Sequence, residues 1–161
     1  MTAHAQVPSL LTRRVRRAGS VSALTIAAVG GTLLAPGAAG EAHAASPGFK
    51  ALHVAAAKRG APYRWGATGP RSFDCSGLTQ YAFKAVGKKL PRTAAQQYNK
   101  TRRVRAAHRK PGDLVFFGYG RGIYHVGIYA GRGRMWHSPK TGSTVRLEKI
   151  WTKAVQYGRV R

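Results

Sequence analysis

The stretch Phe73-Asp74-Cys75-Ser76-Gly77-Leu78-Thr79-Gln80-Tyr81-Ala82-Phe83-Lys84-Ala85-Val86 carries the only cysteine in a chain of 161 residues. Leu78, Ala82 and Val86 recur at helical spacing, so the segment predicts a helix that stops at Gly87 and has Cys75 just before or within its first turn. A lone cysteine has no internal disulfide to make, so its thiol is either packing or a reactive group. Small polar neighbours suit the reactive role better than an apolar burial site would. The unpaired N–H groups and positive dipole end of a helix start favour a thiolate there.

Working outward, Phe49 to Arg59 reads as a short amphipathic helix ended by Gly60 and Pro62, with an apolar side at 49, 52 and 56. Tyr63 to Ser72 is a Gly/Pro-rich loop leading to the cysteine. Pro91-Arg92-Thr93 opens a further helix through about Lys100, with Thr93 as N-cap. His108 to Asp113 reads as a turn carrying Pro111-Gly112-Asp113. Beyond it the period shortens, and residues 114–117, 123–129, 134–137, 144–147 and 154–157 read as short strands, most of them separated by Gly-rich turns. Helices first and an antiparallel sheet second predict an α+β fold.

A nucleophilic thiol needs a base, and the base needs a partner that fixes its tautomer. His125 lies in a predicted strand 50 residues after Cys75, and its alternation predicts a side chain projecting from the sheet toward the helix layer. His137 lies 12 residues later in the next strand, where adjacent antiparallel strands can set two imidazoles side by side. Either histidine alone would pass for an ordinary strand residue; with Cys75, three roles are filled. His53 and His108 read as solvated. Zinc held by Cys75, His125 and His137 is the competing chemistry, but a structural zinc site usually shows closely spaced ligand pairs and none is present. No metal or organic cofactor is expected.

The first 45 residues read as an export signal: Arg13, Arg14, Arg16 and Arg17, an apolar acid-free stretch from Val21 to Leu34, and Ala42-His43-Ala44 before a cleavage point at Ala44 or Ala45. The apolar stretch is short for a membrane span, and no second one follows to hold the mature protein in a membrane. Residues 46–161 then form one domain, expected to be a secreted or wall-associated monomer. The formal net charge of the whole chain is +24; residues 1–45 hold four of the 28 Lys and Arg and one of the four acids, leaving 24 cations and three carboxylates. Such a field draws polyanions. For an exported protein, anionic wall polymers are expected ahead of any specific nucleic acid.

Six ordered motifs between about 49 and 160 carry a resemblance. They are Pro62-Tyr63-Arg64-Trp65-Gly66, Phe73-Asp74-Cys75-Ser76-Gly77-Leu78, Leu90-Pro91-Arg92-Thr93-Ala94-Ala95-Gln96-Gln97, Pro111-Gly112-Asp113-Leu114-Val115-Phe116-Phe117, His125-Val126-Gly127-Ile128-Tyr129 and His137-Ser138-Pro139. Together they resemble the NlpC-type family of bacterial cell-wall cysteine peptidases. The resemblance implies a papain-like fold and hydrolysis of peptidoglycan stem peptides at the bond between γ-D-glutamate and a diamino acid. It implies Cys75 as nucleophile, His125 as general base and His137 as orienting member. It places Tyr63 near the oxyanion site, Asp74 and Ser76 along the substrate cleft with Asp74 facing a substrate amine, and Arg92 at the groove facing a substrate carboxylate. The chain departs from the family pattern at Ala67, where a second glycine is common, and at Ser138, where alanine is. Two other readings remain open: an amidase or acyl transferase with the same Cys-His pair, and a non-catalytic basic module that adheres to the wall.

Overall fold

The computed structural model describes residues 46–118 and 122–161; the expected export signal lies outside the described residues. Three helices come first, α1 (Pro47–Ala56), α2 (Cys75–Lys84) and α3 (Ala94–Lys100). Six strands follow: β1 (Arg102–Val104), β2 (Leu114–Phe117), β3 (His125–Gly131), β4 (Arg134–His137), β5 (Arg146–Lys149) and β6 (Val155–Arg159). They form one sheet in the order β1-β6-β2-β3-β4-β5, with every neighbouring pair antiparallel. The α+β, papain-like arrangement read from the sequence is the one observed. No helix among the described residues is long and apolar enough to cross a membrane.

Each helix starts where a side chain can take up its free N–H groups. Ser46 caps α1, and Thr93 with Gln96 forms a reciprocal capping box on α3. Asp74 caps α2 by accepting a 2.7 Å hydrogen bond from the Gly77 N–H, which makes Cys75 the first helical residue. The inner face of the helix layer (Ala51, Leu52, Ala55, Leu78, Ala82, Phe83) packs on Leu114 and Phe116 of β2 and Val126 and Ile128 of β3. Side chains alternate along a strand, so Val115, Phe117, Tyr129, Met135 and Tyr157 form a second cluster on the opposite face. Each fully buried Leu or Phe contributes roughly 2–3 kcal/mol.

The differences from the sequence reading have local causes. Strand β1 is Arg-Arg-Val at the sheet edge, without apolar alternation; Arg103 lays its guanidinium 3.2 Å over the Tyr98 ring instead. The strand expected at 144–147 begins at Arg146. Val145 is taken by the loop after α1, donating to the Ala61 carbonyl (2.8 Å) and accepting from the Gly60 N–H (2.9 Å). Ala67, for all its departure from the family pattern, does not need a positive φ.

The loop from Tyr63 to Gly69 folds back over the start of α2. Gly66 donates to Asp74 Oδ2 (2.9 Å), and the Asp74 N–H donates to the Ala67 carbonyl (3.0 Å). Gly77 permits this approach, because a Cβ there would lie 2.0 Å from the Ala67 carbonyl oxygen. Gly77→Ala is therefore expected to destabilise the domain by about 2 kcal/mol or more, a fall in Tm of roughly 10 °C. Thermal unfolding followed by circular dichroism checks this; an unchanged Tm would show that the loop moves aside freely.

Candidate active site

Cys75, His125, His137 and Tyr63 line one cleft of about 380 Å³, together with Trp65, Tyr124, Lys140, Arg146, Glu148 and Trp151. A larger hollow of about 670 Å³ runs beside the second half of α2, among Gln80, Tyr81, Lys84 and Lys89. Its lining has no cysteine, histidine or carboxylate, so size does not locate the chemistry here.

The α2 start brings Cys75 against the first residues of β3. The nearby backbone N–H groups of Val126 and Ser76 and the Ser76 hydroxyl favour the Cys75 thiolate. Burial and the adjacent Asp74 carboxylate outweigh them, and the thiol pKa is pushed up. The helix start alone thus does not make the resting thiolate that the sequence suggested.

His125 is buried, and its ring nitrogen Nε2 lies 2.9 Å from His137 Nδ1. The pair forms between neighbouring strands, as anticipated, but on the other sheet face. Val126 and Ile128 point to the helix layer, whereas His125 meets Phe117, its register partner on β2, at 5.4 Å between ring centroids. Gly127 keeps this face open for the pair: a Cβ there would sit 2.8 Å from Met135 Sδ and 3.2 Å from His137 Cβ. Burial and the neighbouring His137 lower the His125 pKa to about 3. His137 is fully buried, which also lowers its pKa, against the pull of Glu148. Both imidazoles are accordingly neutral at ordinary pH, the state a general base requires.

Glu148 escaped the sequence reading, and Trp151 packs in the same cleft. Glu148 of β5 accepts from His137 Nε2 at 2.9 Å and from Arg146 Nε at 2.7 Å. Trp151 stacks on Phe117 (centroids 4.3 Å, 18° between planes) and roofs the histidine pair, 5.9 Å from His125 and 5.6 Å from His137. A signal for Glu148 did exist, since it is one of only three carboxylates after residue 45.

The remaining expected residues divide. Tyr63 faces the cleft, and its pKa is raised by burial, then by Cys75 and Asp74, so its hydroxyl keeps its proton. Asp74 and Ser76 are buried behind the cleft. Arg92 ion-pairs with Asp74 and donates to Ser76 Oγ at 2.9 Å, so its guanidinium and the Asp74 carboxylate neutralise each other instead of standing free for substrate charges. Ser138 is also buried and donates to the Phe73 carbonyl (2.8 Å), tying the end of β4 to the residue before Asp74.

Residues 60–160 match the NlpC/P60 family. The chain belongs to that family. It is 49% identical over 106 residues to the probable endopeptidase p60 of Listeria monocytogenes, covering 63% of this chain and 22% of that protein. It is 48% identical over 109 residues to the bifunctional muramidase/DL-endopeptidase CwlT of Bacillus subtilis, covering 63% of this chain and 33% of that one. The chain thus spans about a fifth to a third of the length of these curated relatives. Among solved structures it resembles the peptidoglycan hydrolase RipB of Mycobacterium tuberculosis (TM-score 0.66, 31% identity, 80% of this chain and 74% of that one). It also resembles RipD of the same organism, described as a non-catalytic domain adapted to peptidoglycan binding (TM-score 0.63, 30% identity, 72% of this chain and 98% of that one).

The buried neutral histidines have a consequence for stability. In the unfolded chain each titrates near 6.5, and in the folded domain lower, so the unfolded state binds more protons as pH falls below about 6.5. Stability contributed by the neutral pair is present above that pH and is lost on acidification toward the folded values. Urea unfolding between pH 6.5 and 5, above the usual carboxylate range, is expected to show a declining midpoint, with a shallower decline in His125→Asn. A flat midpoint across that window would contradict the lowered pKa values.

Proposed function

We propose that this protein is an exported peptidoglycan hydrolase of the cysteine type, cutting stem peptides at the bond between γ-D-glutamate and the diamino acid. The observation that carries this reading is the thiol of Cys75 in one cleft with the hydrogen-bonded imidazoles of His125 and His137. The endopeptidase names of the relatives, and DL-endopeptidase for CwlT, support the bond. Residues 1–45 serve as the export signal and residues 46–161 as the catalytic domain, acting as a monomer. The basic surface adheres to anionic wall polymers, an attraction that salt weakens.

In this mechanism His125 takes the Cys75 proton as the sulfur attacks the scissile carbonyl, so the thiolate forms at attack and not before. His137 orients the His125 ring. Backbone N–H groups at the α2 start and the Tyr63 hydroxyl donate to the oxyanion, and one such donor is worth about 3 kcal/mol. The tetrahedral adduct collapses as His125 hands its proton to the leaving amine, leaving an acyl-enzyme. Water, deprotonated by His125, then releases the acid and regenerates the thiol. Asp74, Ser76 and Arg92 act through their mutual bonds, holding the loop of Tyr63 and the helix of Cys75 in register at the amine end of the stem peptide.

RipD marks the other use of this fold, binding without catalysis. Mass spectrometry of purified peptidoglycan fragments separates the two. The wild-type domain is expected to release products split at the γ-D-glutamyl bond, and Cys75→Ala to lose at least roughly 10⁴-fold in rate. Equal cleavage by both proteins, or by neither, overturns the mechanism; cleavage elsewhere in the fragment moves the assignment to an amidase.

A further inference from the structure

We infer that Glu148 is a positioning residue that locks both active-site histidines in the tautomers a thiol-activating base requires. The inference rests on the proposed mechanism for its kinetic consequences, but its geometry stands alone.

Protons can be counted along the hydrogen-bonded chain from Glu148 through His137 to His125. An ionised carboxylate only accepts, and a neutral imidazole carries one N–H and one lone pair. Glu148 is held ionised first by the bond from Arg146 and further by His137, which keep its pKa low. Glu148 Oε2, 2.9 Å from His137 Nε2, therefore calls for the proton of His137 on Nε2. Nδ1 of His137 is then a lone pair, facing His125 Nε2 at 2.9 Å. A bond at that distance needs a donor, so His125 holds its single proton on Nε2. The remaining nitrogen of His125, Nδ1, is left as the lone pair that can receive the Cys75 proton. Without the carboxylate, His137 is free to carry its proton on Nδ1, and His125 is then driven to the tautomer that has a proton where its base function should be.

The strands build this arrangement into the sheet. His137 is the register partner of Arg146, and Glu148 lies two residues beyond Arg146 on the same face of β5, the diagonal position within reach of a long side chain. Glu148 is partly exposed (37%) while the imidazole that it contacts is fully buried (0%), so the carboxylate is solvated enough to stay charged and still delivers its charge to a dry ring. When His125 becomes an imidazolium during attack, that charge acts in its favour, as its upward pull on the His125 pKa indicates.

The test uses the folded domain as it stands, with Glu148→Ala and Glu148→Gln. Long-range ¹H–¹⁵N spectra read histidine tautomers directly, without substrate. Both histidines are expected as Nε2–H in the wild type, with Nδ1–H of His137 appearing in Glu148→Ala and partial retention in Glu148→Gln, whose amide oxygen can still accept. On peptidoglycan fragments, Glu148→Ala is expected to lower kcat about 10- to 100-fold with KM within twofold, the range typical of partners that orient a histidine. Unchanged tautomers in Glu148→Ala, or a change confined to KM, overturns the inference. If the wild type cleaves nothing, the functional proposal fails and the tautomer spectra still decide the role of Glu148. A circular dichroism melt of each variant checks that the partly exposed position of Glu148 tolerates the change without unfolding.

Discussion

The Asp74 carboxylate is the contact through which the parts of the site are held to one another. One oxygen caps α2 through Gly77, the other receives the Gly66 N–H, and the Arg92 guanidinium bridges both. Three segments of the chain thus meet at the residue before Cys75: the loop of Tyr63, the cysteine helix and the approach to α3. A buried carboxylate is costly unless its lone pairs are satisfied, and here they are. The same charge has a chemical consequence, because it stands beside Cys75 and opposes thiolate formation.

Carboxylates are scarce in this chain, and each described one is paired with an arginine at a junction of the fold. Asp74 takes Arg92. Asp113, at the turn before β2, takes Arg159 of β6 through two bonds of 2.7 and 2.8 Å. Glu148 takes Arg146 and His137. The remaining basic side chains have few acids to meet, and they give the molecule its outward field. The interior charges are therefore local and specific, while the surface charge is diffuse and suited to a polyanionic matrix.

Much of this was legible beforehand, for physical reasons. Period and the Thr93 cap gave the helices, because Thr93 is chemically suited to a helix start and the apolar spacing is plain; that Asp74 caps the cysteine helix emerged only from the structure. The cysteine and two histidines could be gathered because strand pairing places residues from adjacent strands side by side. The face of His125 was misread because both faces of this sheet are buried, and alternation alone does not say which face meets the helices. β1 was invisible because its pairing with β6 is a tertiary fact, and Arg-Arg-Val has no period. The pairing of Asp74 with Arg92 was not legible, since two complementary groups 18 residues apart in sequence give no hint that they face each other.

The electrostatics around Cys75 explain why the proposed mechanism needs an ordered histidine chain. If the α2 start had left Cys75 as a resting thiolate, His125 would have needed only to be near. Burial and Asp74 instead keep the proton on sulfur, and burial with His137 keeps His125 neutral. In the proposed mechanism deprotonation then occurs during attack, which depends on a lone pair being present on the correct ring nitrogen at that moment. A neutral imidazole can hold its proton on either nitrogen. The choice falls to whatever the far end of the chain accepts from. That is why a partly exposed glutamate two strands away from the base, contacting neither thiol nor base, bears on the reactivity of Cys75.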